Sequence, residues 1–136
     1  MSEPIKVLLV EDNPADVYFI KAGLRQSSLT YDVHHLDDGA EARLLASRLG
    51  SHDHPLPHIM LLDLNLPGAD GLEILHALRG NPKGSELPVM VVTSSDADQD
   101  RQRTAEYGVV GYFRKPADVD EFLRIGEVVE KLITRV

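Results

Sequence analysis

The sequence contains no cysteine and no tryptophan, and aromatic residues make up only 5% of it. Without cysteine there is no disulfide, no thiolate metal site and no cysteine nucleophile. Long apolar runs are missing as well: nothing approaches the ~20 residues of a membrane-spanning helix. The opening MSEPIKVLLVED is not a secretory signal, because its apolar part is short and acids follow at once. A cytoplasmic protein is therefore expected. Basic residues are outnumbered by acids, 14 to 22, and the formal net charge of -8 argues against nucleic acid or an anionic membrane as the main partner. No GxGxxG or GxxxxGK[ST] follows a strand-like run, so a dinucleotide or P-loop site is not expected. Repeats, low-complexity tracts and linkers are absent too. One domain spanning 1–136 is expected, with no room for a separate output domain.

What is present is a chain 43% hydrophobic, enough for one core. It is organised around Ile59-Met60-Leu61-Leu62-Asp63-Leu64-Asn65-Leu66-Pro67, an apolar run that stops abruptly at an acid. Such a run, without helical spacing, reads as a strand buried on both faces, with Asp63 at its carboxyl end. That edge of an open α/β sheet is where ligands and chemistry collect.

Ile5 to Val10 reads as a first buried strand and ends in a second acid cluster, Glu11-Asp12. Asn13-Pro14-Ala15-Asp16 is a helix start, with Asn as N-cap, Pro at the first helical position and Asp16 near the positive end of the dipole. That helix runs to about Gln26, burying Val17, Ile20 and Leu24. Tyr31 to Leu36 suits an edge strand, and Asp37-Asp38-Gly39 leads into a helix through Leu45 and Leu49 that Gly50 stops. SHDHPLP is a loop. After Asp63, LNLPGADG leads to a helix carrying Leu72, Leu75 and Leu78. Leu87 to Val92 is another buried strand, ending in Thr93-Ser94-Ser95. Ser95-Asp96-Ala97-Asp98 has capping-box spacing and opens an unusually polar helix with little to bury, which is expected to be loosely held. Val109 to Phe113 is a last short strand, followed by Arg114-Lys115-Pro116 and a final helix over about 117–134.

Strands alternating with helices predict a parallel sheet with helices on both faces. In the flavodoxin-like order 2-1-3-4-5, a three-layer (βα)5 sandwich, Glu11, Asp12 and Asp63 meet at the topological switch point. Thr93 and Lys115 arrive from the next strands out. Three carboxylates repel one another unless one takes a proton or a cation binds. Oxygen ligands without Cys or clustered His favour Mg²⁺ over Zn²⁺. A carboxylate can also act as a nucleophile toward phosphorus, with Lys115 and Thr93 suited to phosphoryl oxygens.

In this ordered set the chain resembles a receiver domain of the two-component response regulators over essentially its whole length. The carrying features are Glu11-Asp12, Asp63 within LLDLNLPGADG, Thr93, and Lys115-Pro116. The resemblance implies that Asp63 accepts a phosphoryl group from a sensor histidine kinase. It implies Mg²⁺ held directly by Asp12 and Asp63, mainly through water by Glu11, and through the backbone carbonyl of Asn65. Lys115 would pair with a phosphoryl oxygen, Thr93 would move toward it, and Tyr112 would turn inward behind it. A cis Lys115-Pro116 bond is implied too, and Asn65 and Ser95 occupy the positions that tune phosphate lifetime. EDNPADVYFIKAGL, the histidine- and proline-bearing loop, and NPKGSELPVMVVTSS further resemble the small regulators paired with bacterial phytochromes.

Taken singly these residues have ordinary explanations as turn formers, helix-entry residues and surface charges. His52, His54 and His58 read better as solvated imidazoles in a loop than as a metal site. The final helix carries two apolar stripes, Val119, Phe122, Leu123, Gly126, Val129, Ile133 and, beside it, Ile125, Val128, Leu132. They make either a wide core face or a dimer surface formed with the last strand and the polar helix, and a homodimer is expected there. A haloacid dehalogenase-type phosphatase would also use a nucleophilic Asp and Mg²⁺. It needs a second Asp two residues on, however, and Asn65 stands there. A phosphate-independent adaptor would have no use for the full set of acids, Thr93 and Lys115.

Overall fold

The structure is a computed structural model that describes residues 3–134. Five strands, β1 (Ile5–Val10), β2 (Tyr31–Leu36), β3 (Ile59–Leu62), β4 (Val89–Thr93) and β5 (Gly111–Arg114), form one sheet in the order β2-β1-β3-β4-β5. Every pairing is parallel, with Val7 opposite Ile59, Leu61 opposite Met90 and Thr93 opposite Arg114. This is the flavodoxin-like three-layer arrangement expected from the alternation of elements.

Residue alternation along the strands builds two cores. Val7, Leu9, Ile59, Leu61, Met90 and Val92 point to one face. There they meet α1 (Pro14–Arg25), α5 (Val119–Leu123) and α6 (Ile125–Thr134). Leu8, Val10, Met60, Leu62 and Val89 point to the other, against α2 (Gly39–Ala46) and α3 (Gly71–Gly80). All four side chains of β3 are fully buried, each worth about 1.5–3 kcal/mol in removal of apolar surface from water. The strand that leads into Asp63 is thus firmly seated, as is its neighbour β4. No helix among the described residues is long and apolar enough to cross a membrane.

The final helix is two helices. Asp118 caps α5, accepting from the Glu121 amide, and Arg124 separates α5 from α6. The break sits where α1 comes closest: a Cβ on Gly126 would lie 2.1 Å from the Gly23 carbonyl oxygen, and one on Gly23 would lie 2.7 Å from the Leu123 carbonyl. Phe122, Ile125 and Val129 enter the core, with Val128, Leu132 and Ile133 packed beside them. Most of the two apolar stripes therefore merges into one wide core face, while Val119 stays exposed. Helix α2 ends at Ala46, earlier than expected. Turns carry the chain from there to Gly50, whose φ of 91° closes the segment.

Helix α4 (Asp98–Glu106) buries only Thr104, in line with its polar sequence. It has no capping box: Ala97 is the N-cap and gives no side-chain bond. Ser95 Oγ instead donates to the Asp100 carboxylate and accepts from the Ala97 amide. The Lys115–Pro116 bond is trans, as are all described peptide bonds, which corrects the expected cis bond. Trans is the lower-energy form before proline unless packing outweighs it.

Candidate functional site

The site lies at the carboxyl ends of β1, β3, β4 and β5. Parallel pairing puts Glu11-Asp12 beside Asp63, because the Asp63 amide donates to the Val10 carbonyl at 3.0 Å. Asp63 is 5% exposed, Glu11 1%, and Asp12 faces solvent. Carboxylate oxygens of all three lie within 4.8 Å of one another, the only such group of metal-capable side chains among the described residues. Asn65 follows in the turn, its amide donating to Asp63 Oδ1 at 3.3 Å. The turn closes through Gly68, whose φ of 88° is a conformation L side chains rarely adopt.

Lys115 reaches in from the end of β5, its amide anchored on the Thr93 carbonyl at 2.8 Å. Its Nζ lies 2.6 Å from Glu11 Oε1, 2.8 Å from Asp16 Oδ2 and 3.2 Å from Asp63 Oδ2. Burial alone would pull the lysine down. Its hydrogen bond to Asp16, its contact with Glu11 and the charge on Asp63 outweigh burial and hold its pKa above the usual range. On Glu11 the balance runs the other way. Burial pushes it up to about 7, aided by the Asp63 charge, despite the pull of Lys115. Its Oε2 accepts from the Asn13 amide at 3.1 Å. Its Oε1 is buried and accepts no aligned hydrogen bond, so Lys115 meets it as an ion-pair contact only. A buried carboxylate oxygen left in that condition, within an all-oxygen donor set, fits a hard divalent cation.

Thr93 is fully buried at the end of β4, its Oγ1 3.4 Å from the Ser95 amide. Tyr112 is half-buried and donates its hydroxyl to the Ser95 carbonyl at 2.9 Å, while the Arg101 guanidinium lies 4.3 Å above its ring. Thr93, Ser95 and Tyr112 are thereby tied into one loop next to the acids. The sequence reading missed two residues. Asp16, assigned only to the helix dipole, contacts Lys115. His35 Nε2 lies 2.7 Å from the Glu11 carbonyl oxygen and braces the loop from β2. Nothing in the sequence flagged His35. Asp16 left one signal, an acid one helical turn beyond Asp12. The loop histidines gather no site: His58 Nδ1 accepts from the Lys6 amide at 2.9 Å and His52 is exposed.

A family model described as response regulator receiver domain matches residues 7–126. The chain belongs to the response regulator receiver domains. Among receivers of known sequence it is 34% identical to response regulator Rcp1 of Synechocystis sp., over 95% of this chain and 89% of that one. The solved Mn²⁺-bound form of Rcp1 superposes with a TM-score of 0.83 at 32% identity, covering 94% of this chain and 93% of that one. The phosphorylated cyanobacterial phytochrome response regulator RcpA superposes at 0.86 with 31% identity, covering 97% and 95%. The receiver domain of the sensor histidine kinase PA1611 from Pseudomonas aeruginosa, solved with a magnesium ion in its active-site cleft, gives 0.75 at 27% identity, covering 97% and 99%.

Proposed function

We propose that this receiver is a phosphorylation-dependent response regulator that takes a phosphoryl group from a sensor histidine kinase onto Asp63, with Mg²⁺. The observation that carries this reading is the meeting of Asp63, Glu11, Asp12 and Lys115 at one sheet edge. A carboxylate oxygen of Asp63 attacks phosphorus, the P–N bond of the phosphohistidine breaks, and the leaving imidazole takes a proton from solvent. Asp12, Asp63, Glu11 and the Asn65 carbonyl would hold the cation, which supplies positive charge against the phosphoryl oxygens when bound. The nucleophile is already seated on a rigid strand, so the protein's work is alignment and charge neutralisation. Lys115 pairs with a phosphoryl oxygen and the Thr93 hydroxyl donates to another. Movement of Thr93 pulls on Ser95, and through the Ser95 carbonyl on Tyr112, which biases the β4–α4 loop.

The kinase is proposed to be a bacterial phytochrome, on the strength of similarity to the phytochrome regulator RcpA. Signalling would run in the cytoplasm through contacts of the receiver itself, including a homodimer through α4, β5 and the last helices, without direct nucleic-acid binding. The receiver would catalyse only its own phosphorylation and dephosphorylation. Incubation with Mg²⁺ and a small phosphodonor, read by intact mass, is expected to add one phosphoryl group to the parent and none to Asp63→Ala. A gain in both chains would mean a different nucleophile. Sustained turnover of a phosphate ester would mean a phosphatase.

A further inference from the structure

Asp16 stands at the third position of α1, where an acid ordinarily reaches back to the N-cap amide. Here that amide is taken. Asn13 caps the helix by accepting from the Ala15 and Asp16 amides, while its own N–H donates to Glu11 Oε2. The Asp16 carboxylate is left free of capping duty and turns to Lys115. Its Oδ2 accepts from Nζ at 2.8 Å, a shorter contact than the 3.2 Å bond from Nζ to Asp63 Oδ2. The side chains of Lys115 and Asp16 are 9% and 20% exposed, so solvent screens the pair only partly.

We infer that Asp16 is a positioning residue that holds the Lys115 ammonium aside, so that its transfer from Asp16 to a phosphoryl oxygen on Asp63 is a distinct and tunable step. This rests on Asp63 being the phosphoacceptor. The ammonium donates to Asp16 and Asp63 and lies against Glu11 as an ion-pair contact. An incoming phosphoryl group must draw Nζ away from at least one of them. Asp16 is the partner that can be left: it faces solvent more than the other two, and the first turn of α1 stabilises its charge once the lysine has gone. Glu11, by contrast, would be left as a buried carboxylate with no cation against it. The negative charge of Asp16 also opposes the approaching phosphoryl oxygens directly. Both effects slow uptake and shorten the hold of Lys115 on the phosphorylated form.

The test compares the parent with Asp16→Asn and Asp16→Glu. Each is incubated with Mg²⁺ and phosphoramidate and followed by intact mass over time, with melting curves and NMR of the Lys115 ammonium alongside. Asp16→Asn is expected to take up its phosphoryl group about fivefold faster, the scale of one partly exposed ion pair. Asp16→Glu, which keeps the carboxylate, should retain the parent rate. The Lys115 ammonium signal, protected from water exchange in the parent, should broaden in Asp16→Asn and persist in Asp16→Glu. A lowered melting temperature with faster uptake in both variants and no difference in the ammonium signal would be a general loosening of the fold and would overturn the inference. If all three chains are phosphorylated at one rate, the inference fails while the phosphoacceptor reading stands. Slower uptake by Asp16→Asn at an unchanged melting temperature also overturns it, since Asp16 would then be presenting the lysine. A parent that gains no phosphoryl group removes the phosphoacceptor reading and this one with it.

Discussion

Glu11 is held between two opposing demands, and the outcome is a pH dependence. Burial lifts its pKa from 4.5 to about 7 although Lys115 lies against it. The folded chain therefore holds this proton more tightly than the unfolded chain does. The stability it contributes is fully present below about pH 4.5 and lost as pH rises through about 7. Over that window the loss is on the order of 3 kcal/mol. Urea unfolding of the cation-free parent and Glu11→Gln across this range should show the parent falling relative to the variant. Parallel profiles would contradict the assignment. Cation affinity moves the opposite way, since binding requires the carboxylate: Mg²⁺ affinity should rise roughly tenfold per pH unit below 7 and level off above. The acids, Thr93 and Lys115 were legible because apolar runs end on them, which places them on one sheet edge whatever else the fold does. Asp16 and His35 were not, because their roles depend on tertiary choices: the Asn13 amide pairs with Glu11, and β2 lies near enough for His35 to reach the Glu11 carbonyl.

Local pattern predicted the elements well where one force dominates and poorly where two chains of contacts compete. Strands β1 and β3 are apolar throughout their buried lengths, and β4 is apolar up to Thr93, which leaves little choice of element. The last helix has unbroken helical spacing, yet it divides at Arg124, where α1 crosses against Gly23 and Gly126. The capping box before α4 failed for a similar reason, with the Ser95 hydroxyl engaged by Asp100. Close backbone approach at Gly126 makes a direct prediction. A methyl group there meets the Gly23 carbonyl at 2.1 Å, a backbone atom that cannot swing away. Gly126→Ala should therefore push α6 off α1 and cost about 1–3 kcal/mol, as overpacking does, with the loss read from thermal or urea unfolding. Helix propensity alone would stabilise this variant by up to about 1 kcal/mol, so an unchanged or raised midpoint would show that the two helices separate freely.

For the molecule as a whole, alternation of strands and helices was enough to predict a parallel, doubly covered sheet, while the order β2-β1-β3-β4-β5 was expected as the flavodoxin-like one that brings Glu11, Asp12 and Asp63 to the switch point. Assembly is harder to read, because a face can be apolar for the sake of its own core. Most of the apolar surface of the last helices is spent that way, on Phe122, Ile125 and Val129. What remains outward on the proposed dimer elements and their flanks is modest: Val119 at 46% and Val110 at 47% exposure, among the charges of Arg101, Arg114 and Asp96. A stable interface needs roughly 800 Å² per partner with a well-packed apolar centre, so the dimer expected here is weak and dependent on concentration. Arg101 also lies over Tyr112, and both Arg101 and Arg114 pair with Asp96, so the same residues serve the switch loop and the proposed interface. Linkage then applies: whatever factor phosphorylation adds to dimer affinity, dimerisation adds to the stability of the phosphorylated conformation. Light scattering over a wide range of concentration should show the mass climbing from 15.0 kDa toward twice that value. The rise should come earlier for the phosphorylated protein, and Val119→Asp should delay it in both forms. A mass fixed at the monomer value with and without phosphorylation would remove the homodimer.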